Sequence, residues 1–240
     1  LVQQGASQIL QSIWEQDFLR SSYGYRPNKS AHQAVQSLQL NLQFKGYGYI
    51  VEADIKGFFN NMDHQWLMRM LEQRIDDKAF LNLIKQWLKA RIRMPDGTVE
   101  KPVSGSPQGG VISPVLANIY LHYVLDIWFE ERIKPQLKGR AMLIRYADDF
   151  VVAFQYRDEA RRFYRALPER LEKFNLKVAP EKTHLKRFSR FNPSRERSFQ
   201  FLGFEFYWGT DRKGEPRVRR VTAPKKHRAT LRELYQWIKE

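Results

Sequence analysis

The sequence predicts an α+β fold in which an antiparallel sheet is backed by helices on one face. Its 240 residues are 42% hydrophobic, which is enough to bury a substantial core. Short β-branched and aromatic runs alternate with segments of helical periodicity. Without insertions, the order is strand, helix, strand, strand, helix, strand, which is the ferredoxin-like split βαβ arrangement.

The first hundred residues contain two helical regions separated by a strand. Residues 1–19 place apolar side chains at helical spacing. Ser30 is expected to cap the next helix, because Gln33 three residues later completes a capping box. The β-branched and aromatic stretch 47–55 predicts the first strand. A helical pattern then extends from about His64 to Lys89.

The rest of the chain begins with a predicted hairpin. Residues 91–103 alternate around a Pro-Asp-Gly turn signal. Ser113, followed by Pro114, is expected to cap a helix that reaches about Ile133. The later elements are strands at 141–147 and 149–154, a helix from Arg157 to about Phe174, strands at 184–188 and 199–206, and a helix over 224–240.

Charge is the strongest compositional signal. The formal net charge is +15, and residues 181–240 contain 16 Lys and Arg against seven acidic side chains. Such an excess attracts polyanions. The basic residues are mixed with Phe, Tyr and Trp, which favours nucleic acid over a membrane surface. Charge that serves solubility alone is the alternative.

Other site classes are excluded or disfavoured. Cysteine is absent, so disulfides and thiolate metal sites are excluded, and a reducing cytoplasm fits. The five histidines are far apart and lack the spacing of zinc ligands. No apolar run approaches the roughly 18 residues of a membrane span, so we expect no membrane partner.

Two adjacent carboxylates, Asp148 and Asp149, stand between two apolar strand patterns. At about 4 Å and an effective dielectric of about 20, two like charges repel by roughly 4 kcal/mol. A polar hairpin turn is the structural explanation. A tight turn at the pair would bring both carboxylates beside Asp54, at the end of the first strand. Two Mg²⁺ ions could then be bridged by Asp54 and Asp148, with Asp149 as the outer partner.

Six ordered segments make the chain similar to bacterial group II intron-encoded reverse transcriptases. Tyr146-Ala147-Asp148-Asp149 resembles the YADD box of reverse transcriptases. The other matching segments are 21–35, 54–64, 105–121, 176–183 and 201–204. The resemblance covers nearly the whole chain and implies a polymerase palm with a helical, partial fingers region.

The resemblance implies a role for each matching residue. The metal ligands would be Asp54, Asp148, Asp149 and the carbonyl of Ile55, with Lys182 protonating the pyrophosphate leaving group. Phe59 would exclude a 2′-hydroxyl. The resemblance also implies nucleotide contacts by Ile55, Phe58, Gln108 and Gly109. It implies a primer grip formed by Phe201, Leu202 and Gly203.

Domain boundaries and partners follow from the same resemblance. Residues 1–45 are expected to form part of the fingers, 46–220 the palm with a fingers insertion around 64–103, and 221–240 the start of the thumb helix. A basic fingers segment is expected before Leu1 and more of the thumb after the last residue. The implied partners are an RNA template, a DNA primer, dNTPs and the protein's own intron RNA, in a bacterial cytoplasm.

Four functions stay open from the sequence. The leading one is an RNA-directed DNA polymerase that uses two Mg²⁺ ions. The second is an RNA-binding maturase that assists intron splicing, and it could coexist with the first. The others are a relative reassigned to phage defence or spacer integration, and a catalytically idle fragment.

Overall fold

A computed structural model of the protein describes residues 1–93, 99–100, 104–106, 110–191 and 193–239. Its α-helices are α1 (Val2–Trp14), α2 (Ala31–Phe44), α3 (Phe58–Asn61), α4 (His64–Leu71), α5 (Lys78–Leu88), α6 (Ser113–Leu121), α7 (Arg157–Glu172) and α8 (Pro224–Lys239). Its strands are β1 (Tyr49–Ala53), β2 (Ile92–Arg93), β3 (Val99–Glu100), β4 (Ala141–Tyr146), β5 (Asp149–Phe154), β6 (His184–Arg187), β7 (Phe199–Phe201), β8 (Phe204–Thr210) and β9 (Pro216–Thr222).

A four-stranded antiparallel sheet lies at the centre, in the order β4-β5-β1-β6. β5 is antiparallel to both β1 and β4, so those two strands run parallel with β5 between them. The crossover between them ends in α6, which continues in a wider π-helical form through His122–Asp126 and Trp128–Ile133. This is the split βαβ arrangement that the sequence predicts.

The two faces of the sheet bury separate cores, because successive strand residues point to opposite faces. Val51 and Val152 lie on the first face, which packs against α1, α6 and α7. Ile50 and Val151 lie on the second face, which packs against α2 and the small sheet β7-β8-β9. The expectation of helices on one face is therefore incomplete, since α2 and a second sheet cover the other face.

Two predicted helix boundaries differ in the structure. The helical pattern over 64–89 forms two helices, because Asp77 caps α5 by accepting hydrogen bonds from the backbone N–H groups of Ala79 and Phe80. Ser113 is the first residue of α6 and not its cap; its buried hydroxyl bonds to that of Ser106 at 2.6 Å. Ser30 does form the predicted capping box with Gln33.

The stretch 199–206 is a hairpin and not one strand. β7 and β8 pair with Phe201 opposite Phe204, so Leu202 and Gly203 form the turn. Both turn residues have positive φ, +52° and +77°, as a tight hairpin turn requires. The predicted hairpin at 91–103 has its strands β2 and β3 paired, while its turn lies outside the described residues.

Across the described ranges, no helix combines the length and apolar character needed to cross a membrane.

Candidate active site

The predicted metal-binding carboxylates meet where β1 and β5 border the same end of the sheet. The last residue of β1, Ala53, pairs with Phe150, so Asp54 and Asp149 are the next neighbours across the two strands. Ala147 and Asp148 form the turn between β4 and β5. The tight turn therefore falls at 147–148, and it carries Asp148 to the end of the sheet where Asp54 lies.

Burial and mutual repulsion raise the pKa values of two of these carboxyl groups. Burial is the main cause that raises the pKa of Asp149 to about 7, and the charges of Asp54 and Asp148 add to it, against a lowering by the Leu202 N–H. Burial is also the main cause of the raised pKa of Asp148, to which Asp54 contributes. The cluster therefore resists full ionisation unless a cation compensates its charge.

Lys182 supplies a cation at the third carboxylate. Its Nζ donates to Oδ2 of Asp54 at 2.6 Å, and this bond is the main cause of the raised Lys182 pKa. The side chain is 64% exposed, so the ammonium can reach solvent or a substrate. The backbone N–H of Ala179 donates to the Asp54 carbonyl at 2.8 Å, which fixes the segment that carries Lys182 against the end of β1.

No three Asp, Glu or His side chains among the described residues are arranged to hold a metal ion. Asp54 is directed at Lys182, and Asp149 accepts a hydrogen bond from the Leu202 N–H at 3.3 Å. The available donors are nevertheless hard oxygens, including the Ile55 carbonyl, which accepts no hydrogen bond from the described part of the chain. This donor set has the chemistry that Mg²⁺ prefers, provided that Asp54 exchanges Lys182 for the metal.

Aromatic rings border the turn. The Phe59 ring lies 6.5 Å from that of Tyr25, which in turn lies 6.4 Å from Tyr146. Burial raises the pKa of Tyr25, and Asp148 raises it further, so this hydroxyl is close to the carboxylates. Phe58 is different: its ring is 1% exposed and packs against Tyr120. The Phe58 ring therefore belongs to the core, and the nucleotide contact at Phe58 stays a prediction that only its backbone could fulfil.

The predicted primer-grip residues also differ from one another in burial. Phe201 is buried in the second core, whereas the Leu202–Gly203 turn is partly exposed. The turn connects the carboxylates to the start of α8, because Leu202 donates to Asp149 while the Gly203 carbonyl accepts from the N–H of Ala223 at 2.9 Å. Gln108 and Gly109 lie outside the described residues.

Most of the chain matches a known protein family. Residues 2–206 match the family model described as reverse transcriptase (RNA-dependent DNA polymerase). The chain belongs to this family.

Curated relatives of this reverse transcriptase chain include intron proteins. The group II intron-encoded protein LtrA of Lactococcus lactis subsp. cremoris is 38% identical over 148 residues, covering 58% of this chain and 24% of that protein. Protein YkfC of Escherichia coli (strain K12) is 33% identical over 180 residues, covering 63% of this chain and 47% of that protein. The chain thus spans about a quarter to a half of these relatives.

Solved structures show the same fold. Apo telomerase from Candida tropicalis, truncated from its C-terminal domain, superposes with a TM-score of 0.62 at 15% identity, over 91% of this chain and 45% of that chain. Telomerase from Candida albicans in complex with a fragment of telomeric RNA has a TM-score of 0.60 at 15% identity, over 84% and 36% of the two chains. The central sheet and its helices are therefore a polymerase palm.

Arg145 supports the turn at Ala147–Asp148, although the predictions from the sequence did not include it. Arg145 is fully buried and forms a bidentate ion pair with Asp126, at 2.8 and 2.6 Å. Its Nη1 also donates to the carbonyls of Ala147 and the Asn118 side chain, both at 3.0 Å. The signal was present, because polar residues interrupt both the apolar strand at Arg145 and the apolar helix at Asn118 and Asp126.

Gly24 holds the outer side of the same turn. The Asn118 side chain donates to the Gly24 carbonyl at 2.6 Å. A Cβ at Gly24 would lie 2.3 Å from the backbone nitrogen of Ala147, so no larger residue fits without moving the turn. Ala147 itself has φ of +55°, which is costly for a residue with a side chain. The turn of the YADD box is therefore held by neighbours on both sides.

Proposed function

We propose that this chain is the catalytic core of an RNA-directed DNA polymerase of a group II intron-like retroelement. It would add deoxynucleotides to the 3′ end of a DNA primer while copying RNA. The observation that supports this most is the meeting of Asp54, Asp148 and Asp149 at one end of a reverse transcriptase palm. The bacterial relatives and the absence of cysteine favour a bacterial cytoplasm as its location.

The carboxylates would hold the metal in this proposal. Asp54, Asp148, Asp149 and the Ile55 carbonyl would bind two Mg²⁺ ions, which stabilise negative charge on the attacking and leaving oxygens. Burial serves this role, because it is the main cause of the raised pKa values of Asp148 and Asp149 and so makes their ionised forms costly without a nearby cation. A bound cation would therefore stabilise the ionised cluster.

The surrounding residues would bind and orient the substrates. Lys182 is exposed beside Asp54 and would donate a proton to the departing pyrophosphate. The Phe59 ring would exclude a ribose 2′-hydroxyl, and the Leu202–Gly203 turn would position the primer end. Gln108 and Gly109 would contact the incoming nucleotide and the template. Orientation of this kind supplies much of the rate acceleration in reactions without a covalent intermediate.

A second function, intron RNA binding as a maturase, is compatible with the first. It is favoured by the excess of basic residues in 181–240 and by the similarity to the group II intron-encoded protein LtrA. The surfaces that bind intron RNA need not include the three carboxylates. Splicing of the host intron RNA by the Asp148→Ala protein would separate this function from polymerisation.

Primer extension tests the main proposal. With a DNA primer on an RNA template, Mg²⁺ and dNTPs, we expect the protein to synthesise DNA and to discriminate against rNTPs. The Asp148→Ala variant should lose extension while its affinity for RNA stays within about twofold, because one acidic side chain contributes little to backbone binding. Equal extension by this variant would refute the proposal.

A further inference from the structure

Four arginines on the palm lie close together without any acidic partner. Arg157, Arg161 and Arg165 repeat at four-residue intervals on α7, and Arg187 lies on β6, the edge strand of the central sheet. All four are exposed. Within the described ranges, no hydrogen bond or ion pair is made by any of their guanidinium groups. Like charges at this helical spacing repel one another, and Asp158 and Glu169, which stand at favourable spacing from Arg161 and Arg165, offset this repulsion only in part.

The arginines line one continuous groove between α7 and β6. Two depressions of about 530 and 300 Å³ adjoin, and both are lined by Arg161 and Leu185. Tyr49, Tyr164 and His184 complete the described lining, which contains no acidic side chain. We call this the arginine groove. Successive arginines of α7 are about 6 Å apart along the helix axis, which resembles the separation of consecutive phosphates in an extended strand.

The arginine groove lies on the opposite side of the sheet from the primer grip. Its floor residues Tyr49, Tyr164 and Leu185 pack against the first core. Leu202, whose backbone N–H donates a hydrogen bond to Asp149, packs against the second core. A strand bound in the arginine groove would therefore not be the primer–template duplex at the carboxylates.

Protection of the sheet edge explains only part of this charge. Charged residues on edge strands prevent pairing with other chains, and Arg187 could serve that purpose. Arg157, Arg161 and Arg165 are on a helix, where no such purpose exists. Arginine keeps its charge at every physiological pH and binds phosphate in a fixed, forked geometry. A phosphate backbone is therefore the ligand chemistry that matches the groove.

We infer that the arginine groove binds the backbone of a single RNA strand, at a site separate from the polymerase centre. The choice of RNA over other polyanions rests on the proposed function, while backbone binding rests on the groove alone. Its tyrosines and arginine stems provide a surface on which bases can stack, which favours a single strand over a duplex.

The test measures the affinity of the protein for a fluorescein-labelled oligouridylate RNA as a function of salt. For Arg157→Gln, Arg161→Gln and Arg165→Gln combined, we expect the slope of log affinity against log salt to decrease by about 2. The same loss of three contacts should weaken binding by about 100-fold near ~0.1 M salt. Extension of a saturating primer–template should be unchanged.

A matched triple variant controls for net charge. Arg162→Gln, Lys173→Gln and Lys85→Gln also remove three positive charges, but from exposed positions outside the groove. This variant should keep the slope, and an equal loss of slope in it would overturn the groove. If the first triple variant does not fold, Arg157→Gln with Arg187→Gln should reduce the slope by about 1.4.

Four further outcomes would bear on the inference. Oligoglutamate that competes as strongly as RNA would overturn the choice of RNA, as would oligothymidylate DNA bound tighter than RNA. An unchanged slope in both groove variants would overturn the groove itself. A protein that binds RNA through the groove but never extends a primer would support this inference while refuting the proposed polymerase activity, so the two failures are distinguishable.

Discussion

Arg145 and Asp126 form an ion pair whose side chains have no exposed surface. Removing two charges from water costs several kcal/mol, and their attraction recovers this only when the remaining donors are satisfied. Arg145 meets that condition through Ser22, Asn118 and the Ala147 carbonyl. The pair therefore connects the crossover helix to the turn that carries Asp148, and it contributes to the geometry of the site without contacting a substrate.

Asp126→Asn should lower the free energy of unfolding by about 3–5 kcal/mol, because it leaves the Arg145 charge buried without its partner. Urea denaturation measures this. The exposed pair Lys134–Glu130 is a matched control, and Glu130→Gln should change stability by less than about 1 kcal/mol.

The double variant Arg145→Met with Asp126→Leu separates stability from positioning. It should recover most of the lost stability, because apolar residues can replace a buried ion pair. Primer extension should stay low, since no side chain then supports the Ala147 carbonyl. Wild-type extension in the double variant would contradict a positioning role for Arg145.

At the scale of elements, two tight turns hold the site. One joins β4 to β5 at Ala147–Asp148, and the other joins β7 to β8 at Leu202–Gly203. Ala147 and Leu202 both adopt positive φ, which side-chain-bearing residues avoid. Each strained turn is connected to a carboxylate, because Asp148 is in the first and Asp149 bonds to the second. Strain of this kind persists only where the surroundings enforce it.

Gly24→Ala should displace the first turn, because the new Cβ would overlap the Ala147 backbone. We expect a loss of about 1–3 kcal/mol in stability and a larger fractional loss in primer extension. Thermal unfolding and extension assays measure the two effects.

Gly5→Ala is the matched control. It lies in α1 with nothing within 4 Å of the added Cβ, so it should stabilise the protein by up to about 1 kcal/mol. Similar effects from both glycine substitutions would contradict the close-approach argument.

Strands were predictable to within a few residues where apolar residues are bounded by turn signals, as at β1 and β5. The hairpin at Leu202–Gly203 was not, because apolar residues continue on both sides of the turn and conceal it. The break between α4 and α5 was missed although Asp77 is a good capping residue, because helical periodicity continues through it.

At the scale of the whole molecule, a central sheet between two cores brings residues that are distant in sequence to one end of its inner strands. The proximity of Asp54 to Asp148 and Asp149 follows from strand order, so the sequence could predict it. The bond from Lys182 to Asp54 and the burial of Phe58 depend on side-chain directions that periodicity does not specify. The arginine groove combines α7 with β6, and no local pattern reveals that pairing.

The rate of single-turnover primer extension across a range of Mg²⁺ concentrations tests most directly whether Asp54 holds the catalytic metal. We compare the wild-type protein with Asp54→Asn, which keeps the shape of the side chain but removes a negative charge. We expect a loss of roughly a thousandfold or more that added Mg²⁺ does not restore. Extension by Asp54→Asn within about tenfold of wild type, with the same Mg²⁺ dependence, would contradict the metal-binding role of Asp54.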